Sequence, residues 1–199
     1  MQGQTSSPTS AGRSLLIIGA GGLGLHGIGW AKVLTDAQVV VAEPDHAKHA
    51  AAKEAGADVI IDTSGDDALQ LIRDATGGSS ENLGGPHAVI DFVGMPATST
   101  LGRDALRKGG TQVQVGLYGG PIDIDIGAFA TAHKHLLGNF VGTLDEFKEL
   151  MTYVQAGTKE DIAFETRPIE EANSAVADLR AGKIIGRCVL EHNAAEPSM

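Results

Sequence analysis

Leu15-Leu16-Ile17-Ile18-Gly19-Ala20-Gly21-Gly22-Leu23-Gly24 is the stretch on which the fold turns. Four apolar residues read as a strand and run straight into G-x-G-x-x-G, and the residues from 20 to 34 read as a glycine-rich turn entering a helix. Alone the glycine pattern is weak. Between a strand and a helix it acquires mechanical meaning. Gly19 permits a tight turn, Gly21 lets backbone approach a pyrophosphate, and Gly24 lets the helix pack closely on the strand. Free amides and the positive end of the helix dipole would then face the phosphates.

Residues 39–42 form the next strand, apolar without alternation and therefore buried on both faces. Glu43 follows at once. It lies 19 residues past Gly24, close to the ~20 expected of the acid that binds an adenosine ribose. A carboxylate there accepts hydrogen bonds from both ribose hydroxyls and repels a 2′-phosphate, so NAD is expected rather than NADP.

The rhythm continues outward. A helix is expected over 45–55, with Pro44 before it and Gly56 after it. A strand at 59–62 and a helix at 68–75 precede a Gly/Ser-rich loop at 77–85. A strand at 88–92, a helix at 97–106 and a strand at 111–115 lead through a Gly- and Asp-rich loop to a sixth strand at 136–141. Thr143 and Glu146 make a capping box, and Leu144, Phe147, Leu150, Met151 and Val154 make one apolar helical stripe. The pattern predicts an α/β, Rossmann-type, doubly wound sheet of six parallel strands in the order 3-2-1-4-5-6. Beyond 162 the rhythm breaks. Strand-like segments at 163–167 and 187–190 flank a stripe of Ile169, Ala172, Val176 and Leu179, a small C-terminal α/β appendage. The expected divisions are a disordered tail at 1–13, the dinucleotide-binding domain at 14–161, the appendage at 162–192 and a tail at 193–199.

Composition narrows the function. Lys and Arg total 15 against 25 Asp and Glu, a net charge of −10 that argues against nucleic acid as a partner. A single cysteine, Cys188, excludes an internal disulfide and a Cys-rich zinc site, and reads as a small buried hydrophobe. No run approaches the ~20 apolar residues of a membrane span. The polar N-terminus lacks a secretory signal, and the default compartment is the cytoplasm. His46 with His49 and His133 with His135 share faces, but without a third ligand of suitable spacing they read as surface histidines. Asp66-Asp67 and Asp123/Asp125 read as solvated loops.

Taken together, the motifs resemble the coenzyme-binding half of the medium-chain dehydrogenase/reductase family, in its zinc-dependent alcohol dehydrogenase branch. The carriers are the segment from Ile17 to Gly24, Val41-Ala42-Glu43 with Lys48, Glu54-Ala55-Gly56-Ala57-Asp58, Val89-Ile90-Asp91-Phe92-Val93-Gly94, Lys108-Gly109-Gly110, Val115-Gly116-Leu117, Gly138-Asn139-Phe140-Val141-Gly142-Thr143, and the run from Leu179 to Arg187. The resemblance implies that Gly19, Gly21, Gly22, Leu23 and Gly24 hold the pyrophosphate, with the Leu23 amide as a donor. Glu43 and Lys48 would sit at the adenosine ribose, and Phe92 and Val93 would line the cleft. Val115, Gly116, Leu117, Asn139 and Val141 would border the nicotinamide, and Arg187 would reach the pyrophosphate with its planar donor fork.

The sequence also departs from that pattern. The family carries its zinc ligands and proton relay in a catalytic domain placed before this segment, whereas only a polar tail precedes Leu15 here. No catalytic residue and no metal ligand is therefore expected in this chain, which alone should be inactive toward alcohols. The appendage corresponds to the part that returns to the catalytic domain, which would be a separate partner. A homodimer through the edge of the sixth strand is expected. Two alternatives stay open: a free-standing NAD(H)-responsive binding module, and a relative of NADPH-dependent quinone or enoyl reductases.

Overall fold

A computed structural model describes residues 12–77, 84–158 and 162–192. At its centre β1 (Ser14–Ile18) lies between β2 (Gln38–Ala42) and β4 (Ala88–Asp91). With β3 (Val59–Ile61), β5 (Thr111–Gln114) and β6 (His135–Gly138) they form a parallel sheet in the order 3-2-1-4-5-6. The alternation of side chains along the central strands decides which helix packs where. Ile17, Val39 and Val41 pack on one face with Leu25 and Ile28 of α1 (Gly22–Leu34) and Ala52 of α2 (His49–Glu54). Leu16, Ile18, Val40 and Val89 pack on the other with Ile72 of α3 (Ala68–Ala75) and Ala105 of α4 (Pro96–Ala105). Each large apolar side chain among them, fully buried, contributes about 1.5–3 kcal/mol. The doubly wound sheet expected from the sequence is the observed one.

Several boundaries differ from the expectation. The helix foreseen at 45–55 opens with a 3₁₀ turn, His46–Lys48, because the Asp45 side chain accepts from the Ala47 amide and its carbonyl from the Lys48 amide. The Gly- and Asp-rich loop contains a short helix, α5 (Ile126–Thr131), capped by the Asp125 carboxylate on the Ala128 amide. The sixth strand stops at Gly138 rather than 141. Val141 takes a left-handed φ of +51°, which no strand accommodates, so Asn139, Phe140 and Val141 form a bend leading into α6 (Leu144–Gln155). Cys188 is half-buried rather than buried.

The capping box is present, with Thr143 Oγ1 accepting from the Glu146 amide and Glu146 Oε2 from the Thr143 amide. The apolar stripe of α6, however, faces outward: Leu144, Phe147 and Val154 are at least half exposed. Its visible anchor is Tyr153, edge-on to Trp30 of α1 at 5.9 Å.

At the C-terminus β7 (Phe164–Pro168) and β8 (Arg187–Glu191) pair in parallel around α7 (Ala172–Arg180). Ile162 joins this unit to the α1 face of the core. Among the described residues no helix is long and apolar enough to cross a membrane. The tail readings at 1–11 and 193–199, and most of the Gly/Ser-rich loop, lie outside the described residues.

Candidate functional site

The carboxyl ends of β1, β2 and β4 open on a cleft of about 750 Å³. The glycine turn forms its floor. Gly19 has φ +91°, and a Cβ on Gly24 would collide with the Gly19 carbonyl oxygen, so the crossing of strand and helix tolerates hydrogen alone there. Helix α1 begins without a side-chain cap, which leaves its first-turn amides open on the cleft. They are suited to an anion such as a phosphate. Above them Arg187 reaches over from β8. A Cβ on Gly22 would lie 2.5 Å from its Nε, so the absence of a side chain at Gly22 makes room for the guanidinium.

Glu43 forms the wall at the end of β2. It is 4% exposed. Its Oε2 accepts the Ala20 amide at 2.7 Å and its Oε1 the Asp45 amide at 3.0 Å. The carboxylate therefore ties β2 to the glycine turn, and each oxygen keeps a lone pair for a ligand. Lys48 Nζ stands 3.6 Å from Glu43 Oε1 and 3.4 Å from Asp45 Oδ2, a cation shared by two acids.

Gly19, Gly21, Gly22, Leu23, Gly24, Glu43, Lys48, Phe92, Val93 and Arg187 all line this one cleft. Val115, Gly116, Leu117, Asn139 and Val141 do not. They follow β5 and β6, further along the same carboxyl edge of the sheet. Leu179 and Ile184, from the run that ends at Arg187, line it too, and so do residues that the motifs did not single out: Thr63 after β3, Met95 and Thr98 at the start of α4, and Tyr118 after β5. Their one legible signal was position, since side chains just past the carboxyl ends of parallel strands face the ligand crevice.

Each histidine pair was expected to lack a third metal ligand, and the partners of one pair are visible. His46 and His49 stack at 4.8 Å, His46 on Asp62 at 2.7 Å and His49 on the Glu43 carbonyl at 2.9 Å. Hydrogen bonds from the Ser64 side chain and backbone, then from His46, hold the Asp62 carboxyl at about 2. Among the described residues no three His, Cys, Asp or Glu side chains are grouped to hold a metal ion. The donor set for zinc is therefore not found among them.

The sequence matches the family described as zinc-binding dehydrogenase over residues 22–156. It is 33% identical over 179 residues to an NAD-dependent alcohol dehydrogenase of Sulfurisphaera tokodaii, covering 89% of this chain and 50% of that protein. An alcohol dehydrogenase of Geobacillus stearothermophilus is 31% identical over 182 residues, covering 90% of this chain and 51% of that protein. Among solved structures, the alcohol dehydrogenase of the archaeon Aeropyrum pernix matches with a TM-score of 0.82 and 28% identity, over 90% of this chain and 50% of that one. The chain thus spans about half the length of the relatives it matches. It belongs to the zinc-binding dehydrogenase family and is a coenzyme-binding domain of the medium-chain alcohol dehydrogenase type.

Proposed function

We propose that this coenzyme-binding domain takes NAD(H) in preference to NADP(H), and that together with a catalytic lobe it serves hydride transfer between the nicotinamide and an alcohol carbon. The observation that carries the reading is Glu43, a buried carboxylate in the wall of the cleft whose floor is the glycine turn. A dinucleotide laid with its pyrophosphate over the start of α1 brings its adenosine ribose toward the end of β2. Glu43 would accept from the two ribose hydroxyls. A 2′-phosphate would set like charge against it, and Lys48, already shared with Asp45, offsets that only in part. The NAD dependence of the Sulfurisphaera relative supports the same choice.

Each remaining residue has a task in binding or orientation. The Leu23 amide and its neighbours in the first turn would hold one phosphate, and Arg187 would close over the pyrophosphate from the other side. Phe92 and Val93 would give the cleft its apolar wall. Backbone groups of Val115, Asn139 and Val141, with Gly116 and Leu117 beside them, would receive the carboxamide and so choose which face of the ring is presented. When bound, the nicotinamide supplies or accepts the hydride, and the protein orients it. The residues named here bind the coenzyme and orient it. The free edge of β6 supports a homodimer as part of the same reading.

Glu43→Gln tests the assignment, because glutamine keeps a carbonyl oxygen for the Ala20 amide while it removes the charge. Hydrogen bonds to a charged group are worth about 1.5–3 kcal/mol, so NADH should bind about tenfold or more weakly. NADPH should weaken less, and the gap should narrow. An unchanged NADH-to-NADPH affinity ratio would count against the reading.

A further inference from the structure

Asp91, a second buried carboxylate, lies beside the cleft at the end of β4. It is fully buried and is not among the described residues that line the cleft. Its Oδ1 accepts the amides of Val93 and Gly94 at 2.8 and 2.9 Å. Its Oδ2 accepts the Thr98 hydroxyl at 2.9 Å. Its carbonyl accepts the amides of Val115 and Gly116, just past β5, at 3.0 and 2.9 Å.

The two loops that leave β4 and β5 then bond to each other. The Tyr118 amide donates to the Val93 carbonyl at 3.4 Å and the Gly119 amide to the Gly94 carbonyl at 2.8 Å. They meet backbone to backbone. Gly94 has φ +79°, a Cβ on it would collide with the Gly116 carbonyl, and a Cβ on Gly116 would collide with the Val93 backbone. With no side chain between the loops, the donors gathered on Asp91 fix their spacing. Val93, Met95 and Tyr118, which these loops carry, line the cleft, as does Thr98 in the first turn of α4.

We propose that Asp91 is a positioning residue for the nucleotide: through its carboxylate and its carbonyl it sets the cleft wall formed by the loops after β4 and β5. The proposal rests on the reading of the cleft as a nucleotide site. Asp91 acts without touching the ligand. In Asp91→Ala the Val93 and Gly94 amides lose their acceptor and the Thr98 hydroxyl loses one of its two, so the wall is free to shift. Asparagine differs. Its carbonyl oxygen can keep the Val93 and Gly94 amides, and its NH₂ can donate to Thr98 Oγ1, whose own proton already has the Met95 carbonyl within 3.0 Å.

The test is calorimetric titration of the purified chain with AMP and with NADH. Leu106→Ala serves as a destabilised control, since Leu106 is buried beside Gly110, at the end of the sheet away from the cleft. Asp91→Ala should weaken both ligands about tenfold or more, because a loosely supported site loses its geometry. Asp91→Asn should stay within about threefold of wild type, since it can keep the hydrogen bonds to the β4 loop. Leu106→Ala should bind as wild type despite a lower melting temperature. If Asp91→Ala does not fold, Thr98→Val, which takes a donor from Asp91 and the acceptor from the Met95 amide, should still show a several-fold loss, whereas Thr98→Ser, which keeps the hydroxyl, should bind as wild type. Wild-type affinity in Asp91→Ala or Thr98→Val, Asp91→Asn no better than alanine, or an equal loss in the control would overturn the proposal. A wild-type chain that binds neither AMP nor NADH would overturn the nucleotide reading on which it stands.

Discussion

Arg187 links the C-terminal unit to the glycine turn. It arrives from β8, and its guanidinium occupies the space left by the missing side chain of Gly22. If it clamps a pyrophosphate, Arg187→Ala removes charge-assisted hydrogen bonds worth about 1.5–3 kcal/mol, or about 10–100-fold in affinity. NADH should lose that much in a fluorescence titration, whereas nicotinamide mononucleotide, with one phosphate, should lose less. Equal losses for both would remove Arg187 from the pyrophosphate. Glu43 and the glycines were legible in the sequence because backbone geometry demands those residue types at fixed separations. Thr63, Met95 and Tyr118 were legible only by their position past the strand ends, since loop side chains reach the cleft through tertiary contacts that carry no local pattern. Asp91 reads in sequence as part of a strand, and its hydrogen bonds to two loops cannot be seen from its neighbours along the chain.

Helix α6 shows how far periodicity reaches. The stripe and the capping box predict the helix and its start, and both are present. The stripe cannot say what it packs against, and on this chain most of its large side chains are exposed. A 12-residue helix with so little tertiary support depends on its ends. Thr143→Ala removes the hydroxyl that accepts the Glu146 amide and should cost about 1 kcal/mol. For a chain of this size that lowers the melting temperature by about 2–4 °C. Circular dichroism would show it, and an unchanged melt would mean that α6 is held by packing instead. The end of β6 departs from its expected place for a related reason. Phe140 and Val141 are apolar enough to prolong a strand, but the left-handed Val141 turns the chain toward its helix cap.

For the molecule as a whole, the parallel sheet was legible from the alternation of strands and helices, because an apolar run without polar alternation marks a strand covered by helices on both sides, and its 3-2-1-4-5-6 order followed from the Rossmann-type fold that the glycine fingerprint marks. The proposed homodimer would pair a second copy of the chain with the edge of β6. The His135 and Asn139 amides donate to the β5 side, so by alternation Leu136 and Gly138 direct theirs to the open edge. Leu136→Pro should therefore give a monomer by light scattering if the edge pairs, while leaving the β5–β6 ladder intact. A dimer indifferent to that change would place the interface elsewhere. The NAD selectivity proposed for this coenzyme-binding domain rests on Glu43 in the wall of the cleft. Its most direct test uses Trp30, the single tryptophan, as donor in energy-transfer titrations of the wild-type chain with NADH and with NADPH. NADH should bind saturably and at least about tenfold more tightly than NADPH, the scale of a single hydrogen bond to a charged group. Equal affinity for the two, or no saturable binding of either, would contradict the claim.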